Sequence, residues 1–265
     1  MTSSSAPRPY AVPRPCPGSG NPFELTGQTI LITGATGGIG SETARLCARL
    51  GARVFLTDRA GCAGLAQQIC DAGGEAEGLD MDLSESGNLQ ILADWAEAAD
   101  TVIMAAGVYQ IVAWDSPDWE SALDTAMHVN LRVPALIARA FAERMVERGG
   151  GRMVLVGSMA ASTGGSFAGI GPHYAASKGA LHTLIRWLTT RYGSRNLLVN
   201  GVAPGTVFTA MNSGNPHLAE VVARQPMGRA AQPEEIAAPL AFLCSSAASF
   251  VSGAILDVNG ANYLR

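Results

Sequence analysis

Charge is scarce in this chain. Of 265 residues, 18 are Lys or Arg and 22 are Asp or Glu, 15% in all, and the net charge of −4 comes from mixed signs. The absence of any basic block argues against nucleic acid or an anionic membrane as partner. The opening "MTSSSAPRPYAVPRPCPGSGNPF" has no continuous apolar run of the kind a secretory signal carries, and it is too polar to span a bilayer. Cysteine is sparse: Cys16, Cys47, Cys62, Cys70 and Cys244 are scattered, odd in number and without a CxxC pair. That pattern argues against a disulfide framework or a zinc site, and it points to reduced thiols in the cytoplasm. The four His, at 128, 173, 182 and 217, show no ligand spacing, so no metal is expected. The chain also lacks an internal repeat.

What is present is apolar material, 48% of the chain, enough for a substantial core in one domain. Residues 1–24, rich in Pro and Ser, read as a flexible or extended arm, and 25–265 as a single catalytic unit. Short apolar runs alternate with amphipathic ones. "TILITGA" (29–35) reads as a buried strand and 38–51 as a helix ending at Gly51. Further strands are expected at 52–58, 76–84, 101–107, 152–158, 197–205 and 254–260. The intervening helices are expected near 61–72, 85–98, 116–127, 130–148, 174–192 and 233–245. Such alternation predicts an α/β fold of the Rossmann type: a doubly wound, seven-stranded, mostly parallel sheet with helices on both faces. A ligand then belongs outside the carboxyl ends of the strands, at the topological switch.

The first strand–helix junction is "TGATGGIG" (33–40). Gly34 allows the tight turn, and Gly38 and Gly40 allow close backbone approach. Thr36 and Ile39 belong to the same candidate cofactor loop, and the helix start behind it suits a diphosphate. Asp58 ends the second strand, twenty positions after Gly38. A carboxylate there accepts hydrogen bonds from an adenosine ribose and repels the extra phosphate of NADP, which favours NAD. Arg59, next to it, keeps NADP open, because a guanidinium grips a phosphate.

The stretch "GSMAASTGGSFAGIGPHYAASK" (157–178) carries the candidate chemistry. Tyr174 and Lys178, at i and i+4, share one helix face. An ammonium nearby is expected to lower the Tyr pKa and fit it for proton transfer near neutrality. Ser158, at a strand end, can stabilise charge on a substrate oxygen.

Together with "AAG" (105–107) and "VAPG" (202–205), these motifs resemble the short-chain dehydrogenase/reductase family in its compact, single-domain branch. The motifs run in family order from about residue 26 to 262. The resemblance implies a catalytic set of Asn130, Ser158, Tyr174 and Lys178, with Lys178 also binding the nicotinamide ribose. It implies adenine contacts from Asp82 and Leu83 and a cofactor cleft lined by Ala106 and Gly107. Pro204, Gly205, Val207 and Thr209 correspond to contacts to the nicotinamide end. In the family a proton relay ends at a water on the Asn carbonyl. Pro134, four residues after Asn130, has no N–H to donate to that carbonyl and is expected to leave it free.

There are departures from the family pattern. Met104 and Ala105 stand where an Asn often precedes "AG", and the loop from Ser158 to Tyr174, with Gly164, Gly165, Gly169 and Gly171, is longer than usual. The substrate pocket is expected among Val108, Trp114, Met159, Phe167, Ile170, Phe208 and Met211, under a lid at about 206–226. This mostly apolar set suggests a neutral, fairly apolar secondary alcohol or ketone. The alternatives are an NADPH-preferring ketoreductase, acyl-thioesters included, and a dinucleotide sensor without turnover. An enoyl reductase fits less well, because that branch spaces its Tyr and Lys more widely. Relatives are commonly homotetramers or dimers, so a homo-oligomer is expected.

Overall fold

Along the central strands successive side chains alternate between two cores. Leu31, Val102, Met104, Met153 and Leu155 enter one core, while Ile30, Ile32, Ile103, Val154 and Val156 enter the other. Strands buried on both faces read as unbroken apolar runs, which is what a helix-covered parallel sheet requires. The computed structural model describes residues 20–85, 87–165, 170–214 and 216–264. Its seven strands are β1 (Thr29–Thr33), β2 (Arg53–Asp58), β3 (Glu75–Asp80), β4 (Thr101–Met104), β5 (Gly151–Val156), β6 (Leu197–Pro204) and β7 (Ile255–Val258). They lie in the order β3-β2-β1-β4-β5-β6-β7, and every pairing is parallel, so the sheet is wholly rather than mostly parallel.

Helices α1 (Gly38–Arg49), α2 (Cys62–Asp71) and α10 (Pro233–Cys244) cover one face. On the other lie α3 (Asn88–Trp95), α4 (Trp119–Met127), α5 (Val133–Glu147) and α7 (Pro172–Tyr192). Phe141, Ile137, Leu181 and Ile185 are buried beneath α5 and α7. A side chain of this kind contributes about 1.5–3 kcal/mol when fully buried. Three short helices complete the set: α6 (Ala160–Thr163), α8 (Ala210–Ser213) and α9 (Leu218–Ala223).

Several boundaries differ from the sequence pattern for local reasons. β3 stops at Asp80, not 84: Met81 N–H makes a last ladder bond to the carbonyl of Asp58, where β2 itself ends, and Asp82 then turns the chain by accepting from Ser84. The helices expected at 116–127 and 130–148 are joined by a π-turn, His128–Arg132, in which Val133 N–H reaches the His128 carbonyl. α6 went unread, since four residues are too few to show a helical period. Residues 21–24, assigned by pattern to the arm, are tied to the body. The Pro22 carbonyl accepts from Ala247 N–H at 2.9 Å and from the Ser246 hydroxyl at 3.0 Å, and Phe23 packs on Phe242.

The sheet order fixes where a site can form. From β1 the chain winds outward through β2 to β3, then crosses back to lay β4 on the other side of β1, so the winding direction reverses there and a crevice opens at the carboxyl ends of β1 and β4.

Candidate active site

Around that crevice the glycine loop and the β4 loop close on each other. Gly34 has φ +68°, and a Cβ there would lie 2.5 Å from Ala106 N. At Gly40 it would strike the Gly34 carbonyl oxygen. At Gly38 it would lie 2.7 Å from Thr209 Cγ2, so the loop and the segment after β6 face one another directly. α1 starts at Gly38 with no side-chain cap and no acid in its first turn. Its N–H donors and dipole therefore face the crevice uncompensated, a cradle for an anionic diphosphate. The residues present thus fit a dinucleotide.

Asp58 stands beside this loop and is bound to it. Its Oδ2 accepts from Thr36 N at 3.1 Å and Thr36 Oγ1 at 2.8 Å, and its Oδ1 accepts from Arg59 N at 2.8 Å. The Arg59 side chain is exposed and near Asp82. The Asp82 carboxyl is held below its ordinary range, chiefly by hydrogen bonds from Ser84 and in smaller part by Arg59 and His128. Leu83 is buried. Val207 forms a bridge with Ala231, and Gly205 lies so close to Asn259 that no Cβ would fit.

The candidate chemical groups converge from β5, α7 and the π-turn. α7 begins at Pro172, behind an extended Gly171, and buries Lys178, Leu181, Ile185, Leu188 and Tyr192 along one stripe. That stripe carries the Lys178 side chain inward, where Nζ donates to the Val156 carbonyl at 2.9 Å. The Tyr174 ring centroid is 5.9 Å from Nζ. Ser158 follows β5 and hydrogen-bonds Tyr174, while its Oγ accepts from Ala160 N at 3.1 Å.

The electrostatics correct one expectation. Burial pushes the Tyr174 phenol above its ordinary pKa, and the Ser158 hydrogen bond pulls only partly the other way. The ammonium does not lower it, because Lys178 is turned to Val156 and is itself pushed down by burial to about 8. Desolvation outweighs the pair interaction that the i, i+4 spacing suggested.

Asn130 is fully buried in the π-turn and its amide is engaged. Oδ1 accepts from Val108 N at 2.8 Å, while Nδ2 donates to Val108 O at 3.0 Å and to Ser177 Oγ at 3.1 Å. Its side chain is therefore a strut for the β4 loop, and any closer part in chemistry falls to its carbonyl. Pro134 is buried in the first turn of α5.

Ser158 and Tyr174 open onto a cavity that is partly open to solvent. Of the expected pocket residues, Met159, Ile170 and Met211 line it. Val108 does not; it is held by Asn130. Trp114 packs on Trp119 and is 69% exposed, and Phe208 faces a separate depression beside Arg229 and Gln232. The 206–226 segment folds as two short helices, which turn Met211 and Val221 inward but leave Phe208 outside. Phe167 lies outside the described residues. Tyr109, Thr206, Asn212 and Val221 also line the cavity. Periodicity could not single them out, because Tyr109 and Thr206 sit in loops and Asn212 and Val221 in helices of only four and six residues. Among the described residues none of the lining side chains is charged. Among the described residues no helix is long and apolar enough to cross a membrane, and no cluster of His, Cys, Asp or Glu could hold a metal.

A family model described as enoyl-(acyl carrier protein) reductase matches residues 34–261. The chain belongs to the short-chain dehydrogenase/reductase family. Among its relatives in this family is galactitol 2-dehydrogenase (L-tagatose-forming) of Cereibacter sphaeroides, 37% identical over 90% of this chain and 96% of that one. The crystal structure of a putative NAD(P)-dependent gluconate 5-dehydrogenase from Beutenbergia cavernae, with bound NADP, is 35% identical. It covers 90% of this chain and 98% of its own at a TM-score of 0.84. A 7α-hydroxysteroid dehydrogenase complexed with NADH and 7-oxo glycochenodeoxycholic acid superposes at a TM-score of 0.82. It is 33% identical over 92% of this chain and 97% of that one. This short-chain dehydrogenase/reductase is accordingly an NAD(P)-dependent oxidoreductase of the alcohol dehydrogenase kind.

Proposed function

We propose that the enzyme interconverts a neutral secondary alcohol and its ketone, with NAD as the preferred dinucleotide. The observation that carries this reading is the Ser158–Tyr174 pair opening, beside the glycine cradle, on a cavity whose lining side chains among the described residues are uncharged. The dinucleotide, when bound, supplies the hydride acceptor or donor. Gly34, Thr36, Gly38, Ile39 and Gly40 would hold its diphosphate and Asp58 its adenosine ribose. Asp82, Leu83, Ala106 and Gly107 would flank the adenine and the cleft, and Pro204, Gly205, Val207 and Thr209 the nicotinamide end.

In this reading Tyr174 holds the transferable proton on its hydroxyl. With its pKa raised by burial it rests as a neutral phenol, poised to donate to a carbonyl oxygen. Ser158 donates a second hydrogen bond to the same oxygen and stabilises charge there as it develops. Lys178, held near Tyr174 by the Val156 carbonyl, retains its ammonium at neutral pH and would orient the ribose. The uncharged lining favours substrates without phosphate or carboxylate beside the reacting carbon. Asn212, Thr206 and Tyr109 make the cavity less apolar than the residue types first implied.

A second reading, an NADPH-preferring ketoreductase, is favoured by one observation: Arg59 is exposed next to Asp58. Initial rates over a panel of secondary alcohols, with NAD and NADP in parallel, separate the two. NAD preference is expected, and Asp58→Ala should erode it; a strong NADP preference in the unmodified enzyme overturns the assignment of Asp58. Tyr174→Phe should abolish turnover while dinucleotide binding persists, whereas a sensor would be indifferent. We also propose a homo-oligomer, dimer or tetramer. Trp187 on α7 and Phe250 before β7, 58% and 97% exposed, support it, and light scattering tests it.

A further inference from the structure

We propose that Tyr109 is the specificity-determining wall of the substrate cavity, fixed against Tyr174 by two clasps, Asn130 on Val108 and His173 on Gln110. The proposal rests on reading the cavity as the substrate site, and it names the residue that sets which ketones fit there.

Residues 105–113 follow β4 without regular structure. A segment of that kind ordinarily leaves its side chains free to sample several positions. Here it is held on either side of Tyr109. At Val108 the Asn130 amide pairs with both main-chain groups, accepting from N–H at 2.8 Å and donating to the carbonyl at 3.0 Å, as a neighbouring strand would. Two residues on, His173 Nε2 lies 3.0 Å from the Gln110 carbonyl. A carbonyl only accepts, so Nε2 carries the proton and donates. His173 is 1% exposed and its Nδ1 has no hydrogen-bond partner. A buried ring nitrogen left over in this way fits the tautomer with its proton on Nε2, since a bare lone pair is tolerated better than an orphaned N–H. Gly171 makes room for the ring, because a Cβ there would come within 2.3 Å of His173 Cε1.

Tyr109, between the clasps, packs edge-on to Tyr174, with ring centroids 5.0 Å apart and planes at 64°. Both residues line the same cavity, together with Met211 and Val221 of the lid helices. The struts have meaningful origins. Asn130 belongs to the turn that leads into α5, and His173 directly precedes Tyr174 on α7. The wall is thus located relative to the acid itself, and its distance from the reacting carbon is set by the same helix that carries the proton. Tyr109 then limits the bulk of the group on one side of the carbonyl. His173 touches no substrate in this arrangement; it is a positioning residue.

The test compares kcat/KM for a small methyl ketone and for a cyclohexyl or aryl ketone in the full-length enzyme, with thermal midpoint and dinucleotide affinity as controls. Tyr109→Ala should shift the bulky-to-small ratio by about ten-fold or more towards the bulky ketone. Tyr109→Phe, which keeps the ring, should shift it less. His173→Leu should move the ratio the same way, mainly through KM, and His173→Gln, whose amide N–H reaches as far as Nε2, should restore it. The double variant His173→Leu with Tyr109→Ala should add nothing to Tyr109→Ala, because the histidine acts through the tyrosine. Should His173→Leu not fold, His173→Asn, whose amide falls short of Gln110, takes its place. An active Tyr109→Ala with an unchanged ratio overturns the wall. A His173 variant that lowers only the thermal midpoint overturns the clasp. Tyr174→Phe retaining turnover would instead overturn the underlying reading of the site, whatever the Tyr109 variants do.

Discussion

Replacing Lys178 with methionine keeps the length of a buried side chain and removes its charge. Lys178 is 4% exposed, and burial brings its pKa from 10.5 to about 8. A displacement of that size corresponds to about 3 kcal/mol of disfavour for the charged form in the folded protein. The sign follows from linkage. Between about pH 8 and 10.5 the unfolded chain binds this proton and the folded chain has lost it, so stability rises with pH across that window. Below pH 8 both states are protonated and the disfavour stands in full. The gain between pH 7 and 9.5 should be about 2 kcal/mol. At a urea slope of about 3 kcal/mol/M that moves the midpoint by about 0.7 M. The assay is urea unfolding of the cofactor-free enzyme and of Lys178→Met at pH 7, 8, 9 and 9.5. Taking the difference between the two proteins cancels the other titrating groups to first order. The difference should grow in favour of the lysine protein by about 2 kcal/mol as pH rises. At pH 7 Lys178→Met should lie within about 2 kcal/mol of the parent on either side. It escapes the buried ammonium but leaves the Val156 carbonyl without its donor, a loss of about 1–3 kcal/mol. Parallel pH profiles for the two proteins would refute the reasoning, since they would mean that Lys178 titrates as an exposed lysine does.

Three further outcomes are expected. Gly34→Ala should destabilise by about 3 kcal/mol or more and weaken dinucleotide binding; a left-handed φ of +68° alone costs about 1–2 kcal/mol, and the Cβ would overlap the Ala106 backbone. Denaturation and fluorescence titration check this. Asn130→Ala leaves Val108 N–H and C=O without partners, at about 1–3 kcal/mol for each group, and amide exchange at Val108 should speed up in step. Pro134→Ala restores an N–H four residues after Asn130 and should alter the pH profile of kcat; an unchanged profile and turnover would remove the free carbonyl from the mechanism.

Much of this molecule was legible in the sequence because parallel strands are buried on both faces. Runs such as Ile30–Leu31–Ile32 and Val154–Leu155–Val156 suit a strand covered by helices on both sides and little else. The positions of Gly34, Asp58, Ser158 and Tyr174 could be read against those strands, whereas Asn130 was singled out only by the resemblance to the family. Orientation was harder to read. The i, i+4 spacing of Tyr174 and Lys178 holds on the helix, but where a four-carbon side chain points depends on which carbonyl is free, and here it is that of Val156. Pocket residues were read partly by type. Trp114 and Phe208 are large and apolar, yet one packs on Trp119 and the other faces away from the cavity. Tyr109 lines it from an irregular segment and Asn212 from a four-residue helix, neither of which has a period to reveal it.

The π-turn at His128–Arg132 makes chain length a counted quantity in this region. A π-turn accommodates one more residue than an α-helical turn would. Deleting one residue there would let α4 and α5 run on as an ordinary helix and rotate one against the other by about 100°. The face that now presents Asn130 to Val108 and Ser177 would swing away, although no contacting side chain had been altered. For engineering this fold, the segment's length must therefore be kept even where its residues, Asn130 apart, are exchanged.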